Sequence, residues 1–225
     1  MRSVAVMCVW AGVIMACVAA PASAQAPERT LTACLLPLGA QDARLFESAR
    51  RGVAHLYGFD VVVLPAQAMP KAAWYAPRKR WRADVLLDWL DAGGWPEGRG
   101  CTFVVGLTRE DLSTTTERAK DWGIMGLGQV GGRAAVASSF RVHKKLTAPH
   151  TAARRFVKVV NHEIGHVLGV PHVSERGCLM QDAEGTVLSL DGEHGLLCDA
   201  TVRWIERRHN IKLPALTSFD WSKVE

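Results

Sequence analysis

The chain has 225 residues, of which 48% are hydrophobic and 22% are charged, and its formal net charge is +5. This length supports one domain with a full hydrophobic core, and the composition excludes a disordered or collagen-like chain. The small positive charge does not indicate binding to nucleic acid, and we expect no nucleic-acid partner.

Residues 1–24 have the pattern of a secretory signal peptide. Arg2 precedes an apolar run from Val4 to Ala20, and small residues at Ala22 and Ala24 form a cleavage site. We therefore expect cleavage after Ala24 and a secreted or periplasmic protein.

The mature chain, residues 25–225, is expected to form a single domain. A lipoprotein anchor at Cys17 is the alternative to cleavage after Ala24, although Met15 fits a lipoprotein signal poorly. After removal of the signal peptide, no segment is long and apolar enough to cross a bilayer.

Strands and helices are predicted to alternate along the mature chain. Apolar or β-branched runs predict strands at Leu31–Leu38, Phe59–Leu64, Thr102–Leu107 and Ala134–Phe140. Helical spacing of apolar residues predicts helices at Gln41–Tyr57, at Arg82–Leu90, from near Thr147, and from a cap at Asp199 to Ile211. This alternation is typical of an α/β fold with a mixed sheet.

Local sequence adds detail to several of these elements. Phe59–Leu64 is predicted to be a buried strand, and Gly93-Gly94 is expected to end the second helix. The segment Ala134–Ser139 is either an edge strand that offers main-chain groups to an extended peptide or an ordinary internal strand. Basic and aromatic residues alternate between Lys71 and Arg82, which favours a solvated loop or, as the alternative, a surface that binds anions.

Four cysteines remain after signal removal, and an even number in an oxidising compartment indicates two disulfides. Free buried thiols are the alternative. Four cysteines allow three pairings, and the residues alone do not choose between them. The four are Cys34, Cys101, Cys178 and Cys198.

Residues 162–172, with the sequence H-E-I-G-H-V-L-G-V-P-H, contain three potential zinc ligands. His162 and His166 are four residues apart, so a helix presents both on one face. Gly169 can adopt the left-handed conformation that ends a helix, which allows His172 to return as the third ligand. Three histidines leave one zinc position open, as in a catalytic site.

Glu163 follows the first of these ligands and can face a water in the open position. We expect it to act as general base on that water and then as general acid on a leaving amine. The pattern therefore predicts zinc-dependent hydrolysis of a peptide or protein substrate. The other histidines lack ligand spacing, and surface or structural roles are expected for His55, His143, His150, His194 and His209.

The spacing H-E-x-x-H-x-x-G-x-x-H is the metzincin signature, which is accompanied by a methionine turn beyond the third histidine. Met180 lies eight residues after His172 and matches that turn. With Cys178 two residues before this methionine and Cys198 further on, the chain resembles the archaemetzincins over Thr102–Cys198.

Two of the four extra cysteines in the archaemetzincin pattern are replaced here, since Val173 and Thr201 stand at their positions. In that family the four cysteines look like ligands of a structural zinc, which two thiolates cannot hold alone. The resemblance therefore implies one catalytic Zn²⁺ and no structural zinc. The disulfides that it implies are Cys178–Cys198 and, from the cysteines that remain, Cys34–Cys101.

The resemblance also implies the architecture: a metzincin-like, mixed twisted sheet with an active-site helix. The chain would divide into an N-terminal lobe of residues 25–169 and a smaller C-terminal lobe of residues 170–225. Its function would be that of a secreted zinc metallopeptidase. The alternatives are a catalytically weak zinc protein whose cleft binds a partner, and a zinc amidohydrolase that acts on cell-wall peptide.

Overall fold

The computed structural model describes residues 29–93, 100–117, 119–146, 148–182 and 186–225. The predicted signal peptide at residues 1–24, with Cys17, lies outside these ranges, as do Gly94 and Thr147. Within the described ranges, no helix combines the length and the apolar character needed to cross a membrane.

The described residues form a mixed α/β fold, as the sequence predicts. The strands are β1 Thr32–Pro37, β2 Asp60–Val63, β3 Trp74–Tyr75, β4 Arg80–Arg82, β5 Phe103–Thr108, β6 Leu112–Thr114, β7 Trp122–Ile124, β8 Gly126–Gly128 and β9 Ala134–Ser138. The helices are α1 Ala43–Tyr57, α2 Ala83–Asp91, α3 Thr151–Val167, α4 Val187–Gly192 and α5 Asp199–His209.

The main sheet has five strands in the order β2-β1-β5-β9-β8. The first four are parallel, and β8 is antiparallel to β9. Because side chains alternate across a strand, β5 faces two separate cores. Phe103 and Val105 pack in the core that includes α1 and α3, whereas Val104 packs in the core that includes α2.

The positions of β2 and β9 in the main sheet test two predictions from the sequence. The prediction that Phe59–Leu64 is a buried strand was wrong for β2, because β2 is the outer strand of the sheet and Val63 is 44% exposed. Strand β9 is internal, so the internal alternative holds for Ala134–Ser139, and β8 is the outer strand on that side.

Helix α1 begins and ends at residues that favour those positions. The Asp42 side chain accepts hydrogen bonds from the backbone N–H groups of Arg44 and Leu45, as an N-cap. Gly58 ends the helix with φ 67°, a conformation that glycine adopts without strain. The Tyr57 hydroxyl donates a 2.7 Å hydrogen bond to the Asn161 carbonyl, which fixes α1 against α3.

A second sheet, with the strand order β3-β4-β6-β7, was not predicted from the sequence. It includes Trp74–Tyr75 and Arg80–Arg82 from the basic and aromatic segment Lys71–Arg82, so the expectation of a loop was wrong for these residues. Arg80 pairs with Asp111 at 2.9 Å and with Asp121 at 2.7 Å. Asp111 also pairs with Arg141 at 2.8 Å, which connects this sheet to the chain that follows β9.

Helix α3 buries the predicted apolar residues, among them Phe156, Val160 and Ile164, in the core that it shares with α1 and the main sheet. The chain then turns at Gly169, where φ is 90°. The predicted cap at Asp199 was wrong, because Cys198 is the N-cap of α5 and Asp199 is its first helical residue.

Two pairs of cysteines lie at disulfide distance in the structure. The Cα atoms of Cys34 and Cys101 are 5.6 Å apart and link β1 to the start of β5. The Cα atoms of Cys178 and Cys198 are 5.3 Å apart and enclose the segment that contains α4. Both separations lie in the usual range for disulfides.

Candidate metal centre

Three histidines converge at the C-terminal end of α3. His162 and His166 lie one helical turn apart, and the turn at Gly169 brings His172 back beside them. The His172 Nε2 atom is 3.2 Å from the Nε2 atom of His162 and 3.2 Å from that of His166. Tetrahedral zinc with Zn–N bonds of about 2.0–2.1 Å requires nitrogen atoms about 3.3–3.4 Å apart, and both of these separations are close to that value. The ligand atoms of all three residues lie within 4.8 Å of one another, so the cluster could hold a metal ion.

Backbone carbonyls fix the orientation of two of the imidazole rings. His162 Nδ1 lies 2.6 Å from the Leu179 carbonyl oxygen, and His166 Nδ1 lies 2.8 Å from that of Val170. Each Nδ1–H therefore donates to a carbonyl, which leaves the Nε2 lone pair free for a metal. These two hydrogen bonds therefore select the tautomer that zinc requires.

Burial favours the neutral form of the same two rings. Burial, with a smaller contribution from the nearby His166, lowers the pKa of His162 to about 3. Burial is also the main cause that lowers the pKa of His166. His172 is more exposed, and its Nδ1 lies 3.8 Å from the carboxylate of Asp182. His162 and His166 are therefore held in the neutral form that a metal ligand requires.

Glu163 is 7% exposed and lies against β8, the outer strand of the main sheet. Burial raises the pKa of its carboxyl to about 8, although the backbone N–H of Gly128 lowers it in part. A Cβ atom on Gly126 would lie 2.6 Å from Glu163 Cγ, and one on Gly128 would lie 2.6 Å from the Glu163 carbonyl oxygen. Glycine at both positions therefore allows β8 to approach this side chain.

Met180 is fully buried against α3 at Gly165. A Cβ atom on Gly165, one residue before the second ligand, would lie 2.9 Å from Met180 Cε. The preceding residue, Leu179, supplies the carbonyl that accepts from His162. The turn that carries the methionine thus contacts both the helix and a ligand.

A cavity of about 680 Å³ opens beside the histidines and Glu163. One side is formed by residues 122–128, which include β7 and β8. The other side is formed by residues of α4 and by Lys144 and Lys145. The floor is α3, so the cavity has the shape of a cleft between two walls.

The other histidines do not join the cluster. Among the residues that the structure describes, the group that could hold a metal ion consists of His162, His166 and His172. His209 contacts the Leu168 carbonyl at 2.9 Å, and His55 accepts from the Asp220 backbone N–H at 3.3 Å. These are structural contacts, as the sequence predicts.

Several residues that shape the site carried no signal in the sequence. Gly126 and Gly128 lie in a short segment of low strand propensity. Arg155 and Lys158 are 1% and 6% exposed, yet they occupy positions on α3 that a hydrophobic pattern assigns to solvent. Their charge on the buried side of the helix could be recognised only after the fold was known.

A helix that carries two histidine ligands, a returning third histidine and a buried glutamate beside a sheet edge defines the class of zinc metallopeptidases. The model of peptidase family M54 matches residues 124–207 of the chain. The archaemetzincin of Archaeoglobus fulgidus is 31% identical over 127 residues, which cover 56% of this chain and 69% of that protein. The archaemetzincin of Haloquadratum walsbyi is 27% identical over 176 residues, or 75% of this chain and 96% of that protein.

Solved structures agree with these relatives. The crystal structure of the Methanopyrus kandleri archaemetzincin has a TM-score of 0.65 at 25% identity and covers 80% of this chain and 95% of that one. The Archaeoglobus fulgidus archaemetzincin, complexed with malonate, has a TM-score of 0.63 at 24% identity, over 77% and 99% of the two chains. The chain belongs to the archaemetzincin family, and it is a zinc metallopeptidase.

Proposed function

We propose that this protein is an exported peptidase that hydrolyses peptide bonds with His162, His166 and His172 as zinc ligands and Glu163 as the acid–base residue. The observation that carries this proposal is the position of His172 Nε2, 3.2 Å from the Nε2 atoms of both His162 and His166, next to a cavity that the glutamate also lines. One position on a tetrahedral ion is then left open toward that cavity.

Zinc in this site supplies a Lewis acid that makes a water ligand more acidic and stabilises negative charge on a carbonyl oxygen. Glu163 supplies the proton transfers. Its pKa falls when a dication is held nearby, because an adjacent positive charge favours the carboxylate. The carboxylate accepts a proton from the attacking water and then donates it to the departing amine. The two glycines of β8 hold this side chain in place.

The outer position of β8 supports an extended peptide as the substrate. Within the described residues, β8 pairs only with β9, so its other side is the edge of the main sheet. Peptides commonly bind by adding a strand to such an edge. The residues of β8 also line the cavity beside the ligands, so a peptide bound there would cross the metal.

The decisive experiment is digestion of a diverse peptide pool by the zinc-loaded protein. Cleavage that a chelator abolishes and zinc restores is the expected result. The variants Glu163→Gln and Glu163→Ala should retain zinc and lose at least about 100-fold in rate, because the proton acceptor is gone. A zinc-loaded wild-type protein that cuts no peptide would contradict the proposal.

The same assay separates the alternatives. A binding protein would keep its biological effect in the Glu163→Ala variant, whereas a peptidase would lose it. A cell-wall amidohydrolase would release products from wall fragments and leave the peptide pool intact.

Export, the domain boundary and the metal content complete the proposal. We propose cleavage after Ala24, one domain over residues 25–225 and one zinc ion per chain. The cysteine pairs at disulfide distance support an oxidising compartment, and Thr201 Oγ1 lies 3.2 Å from Cys198 Sγ, where the family pattern has another cysteine. Metal analysis tests the single zinc ion, N-terminal sequencing of exported protein tests cleavage after Ala24, and non-reducing peptide mapping tests the two cysteine pairs.

A further inference from the structure

Two lysines line the cleft, and neither has an acidic partner among the residues that the structure describes. Lys144 and Lys145 are exposed and form part of the cavity that contains Glu163 and the histidines. Their basic neighbours are paired, since Arg141 binds Asp111 and Arg155 binds Asp191. Among the described residues, no carboxylate forms an ion pair with either lysine. The cleft therefore offers two free positive charges to a ligand.

The backbone that carries these lysines is held by a buried arginine. We call residues 142–145 the basic turn. Arg155 donates from Nη1 to the carbonyls of Val142, at 3.0 Å, and Lys144, at 2.6 Å. Its Nη2 donates to the Lys145 carbonyl at 3.3 Å. The same guanidinium binds Asp191 at 2.7 and 2.6 Å, so one side chain connects the basic turn to α4.

The basic turn also has a backbone conformation that requires support. Lys145 has φ 50°, which a residue with a long side chain rarely adopts. Strained residues persist where surrounding contacts fix them, and they concentrate at binding sites. A guanidinium that is 1% exposed supplies the contact here. The backbone that carries the two lysines is therefore fixed before any ligand arrives.

The distance from the metal ligands can be measured along α3. Arg155 lies seven residues before His162 on the same helix. At about 1.5 Å per residue, this separation is about 10 Å along the axis. An extended peptide advances about 3.3 Å per residue. A carboxylate at the basic turn would thus belong to a residue two to four positions from the bond that is cleaved.

The surface between the ligands and the basic turn is apolar. Val159 lies one turn before the metal ligands on α3, and Leu190 of α4 is 3% exposed beside the cavity. Val187 and Leu188 line the same side. The cleft therefore presents metal, then apolar surface, then positive charge, in that order along α3.

We propose that Lys144 and Lys145 form a subsite for a substrate carboxylate, two to four residues from the cleaved bond, and that Arg155 is its positioning residue. This assignment rests on the proposed peptidase function. The carboxylate comes from an acidic side chain or from the free C-terminus of a short peptide, which have the same chemistry.

The test uses matched peptides with the zinc-loaded, full-length protein. One series moves a single Glu, or Gln as its neutral counterpart, through positions up to four residues on either side of the cleaved bond. A second series compares a free C-terminus with an amide. We expect kcat/KM for one acidic position, or for the free terminus, to exceed that of the neutral peptide by at least about 10-fold.

Charge-removing variants connect this preference to the lysines. The double variant Lys144→Gln/Lys145→Gln should reduce the preference to about 2-fold or less, through a rise in KM for the acidic peptide. The control variant Lys71→Gln/Lys120→Gln removes the same charge from exposed positions outside the cleft and should keep the full preference. An equal rate on acidic and neutral peptides in the wild type would overturn the subsite, as would an unaltered preference in the first variant.

Arg155 requires its own variants because it acts through the turn. Arg155→Lys keeps the positive charge but loses the planar fork that reaches several carbonyls. We expect it to lose the acidic preference and to keep zinc and kcat on the neutral peptide. Full preference in a folded Arg155→Lys protein would remove Arg155 from the proposal.

Binding measurements keep the subsite separate from the peptidase function. Fluorescence anisotropy with the same peptides and the zinc-loaded Glu163→Gln variant requires no turnover. Preferential binding of acidic peptides that the wild type does not cleave would support the subsite and contradict the peptidase function. Cleavage without an acidic preference would do the reverse.

Discussion

The two walls of the cleft are built in different ways. We call β8 the glycine wall, because its backbone is pressed against Glu163 at Gly126 and Gly128. We call the basic turn together with α4 the tethered wall, because polar side chains of α3 hold it. The glycine wall is part of the main sheet, whereas the tethered wall belongs to no sheet.

Two buried cations on α3 hold the tethered wall. Arg155 binds the basic turn and Asp191, as described above. Lys158, one turn further along α3, donates from Nζ to the carbonyls of Leu190, at 2.5 Å, and Glu193, at 2.7 Å. These carbonyls lie at the C-terminal end of α4, where a cation interacts favourably with the helix dipole.

This difference separates catalysis from substrate selection. Backbone contact leaves little freedom at the glycine wall, so under the proposed function we expect a change there to act on Glu163 and on the rate of the chemical step. Side chains secure the tethered wall, so a change there acts on the shape and charge that the substrate meets. The following predictions test this division, from the largest expected effect to the smallest.

Gly126→Ala should give the largest loss. Its new methyl group would lie 2.6 Å from Glu163 Cγ, so the carboxylate must move from its position beside the metal. We expect kcat to fall by about 100- to 1,000-fold with little change in KM, because misplacement of a catalytic group affects the chemical step. Steady-state kinetics on a fixed peptide, together with zinc content, measure this effect.

A matched substitution in the other wall serves as the control. Gly192 is the last residue of α4, and a Cβ atom added there would meet no atom within 4 Å. Gly192→Ala should therefore leave kcat unchanged. Equal losses of kcat in the two alanine variants would mean that the walls do not divide the functions as proposed.

The second prediction concerns the disulfide that closes the loop containing α4, part of the tethered wall. The Cys178–Cys198 pair encloses a loop with a sequence separation of 20 residues, and α4 lies within it. Replacing both cysteines with serine should lower the free energy of unfolding by about 3 kcal/mol through loop entropy. We also expect KM for peptides to rise, because α4 loses a constraint. Chemical denaturation and kinetics measure the two effects.

The second disulfide provides the comparison. Cys34 and Cys101 are separated by 67 residues, and neither lines the cleft. Serine at both positions should cost slightly more stability, about 4 kcal/mol, because the loop is longer. KM should not change in this variant. A rise in KM in the Cys34/Cys101 variant alone would contradict the assignment of α4 to the tethered wall.

The sequence predicted the parts of the site whose determinants are local. The ligand spacing at His162 and His166 follows from helix geometry, and the return of His172 follows from the turn at Gly169. The predicted helix over this region is α3, and its apolar residues are in the core. In each case, a few adjacent residues determine the structure.

The walls could not be predicted, because their contacts are between residues far apart in the chain. Strand β8 consists of Gly126, Leu127 and Gly128, and glycine disfavours strands until a partner is present. Its partner is β9, and its function as the sheet edge depends on the whole strand order. The carbonyls that bind Lys158 lie 32 and 35 residues away in the sequence. Hydrophobic periodicity carries no information about such contacts.

The third prediction concerns charge inside the tethered wall. Glu193 is 6% exposed, and burial raises the pKa of its carboxyl to about 7, although Lys158 lowers it in part. A carboxyl with a raised pKa in the folded state stabilises the protein less as pH rises from about 4.5 to about 7. Over this pH range, the free energy of unfolding of the wild type therefore falls by up to about 3 kcal/mol relative to that of Glu193→Gln, at 1.36 kcal/mol per pKa unit.

Unfolding of both proteins at pH 5 and pH 8, with saturating zinc, measures this difference. The Glu193→Gln variant should gain stability relative to the wild type at the higher pH. Glu47→Gln is the control, because the pKa of this more exposed carboxyl is lowered by its hydrogen bond to Arg50. Its stability relative to the wild type should not rise between the two pH values. A parallel shift in both variants would exclude Glu193 as the source.

The smallest effect is expected at Met180, which is buried against α3, the floor of the cleft. Met180→Leu conserves volume and should cost about 1 kcal/mol of stability. The methionine contacts Gly165 between two ligands, and its turn supplies the carbonyl for His162, so zinc affinity should fall by less than 10-fold. Competition with a chelator measures this, and Met69→Leu in the other core is the control. Because Met180 packs on the floor of the cleft and not on either wall, kcat and KM should change little. A large change in kcat alone would mean that Met180 acts on the chemical step, as the glycine wall does.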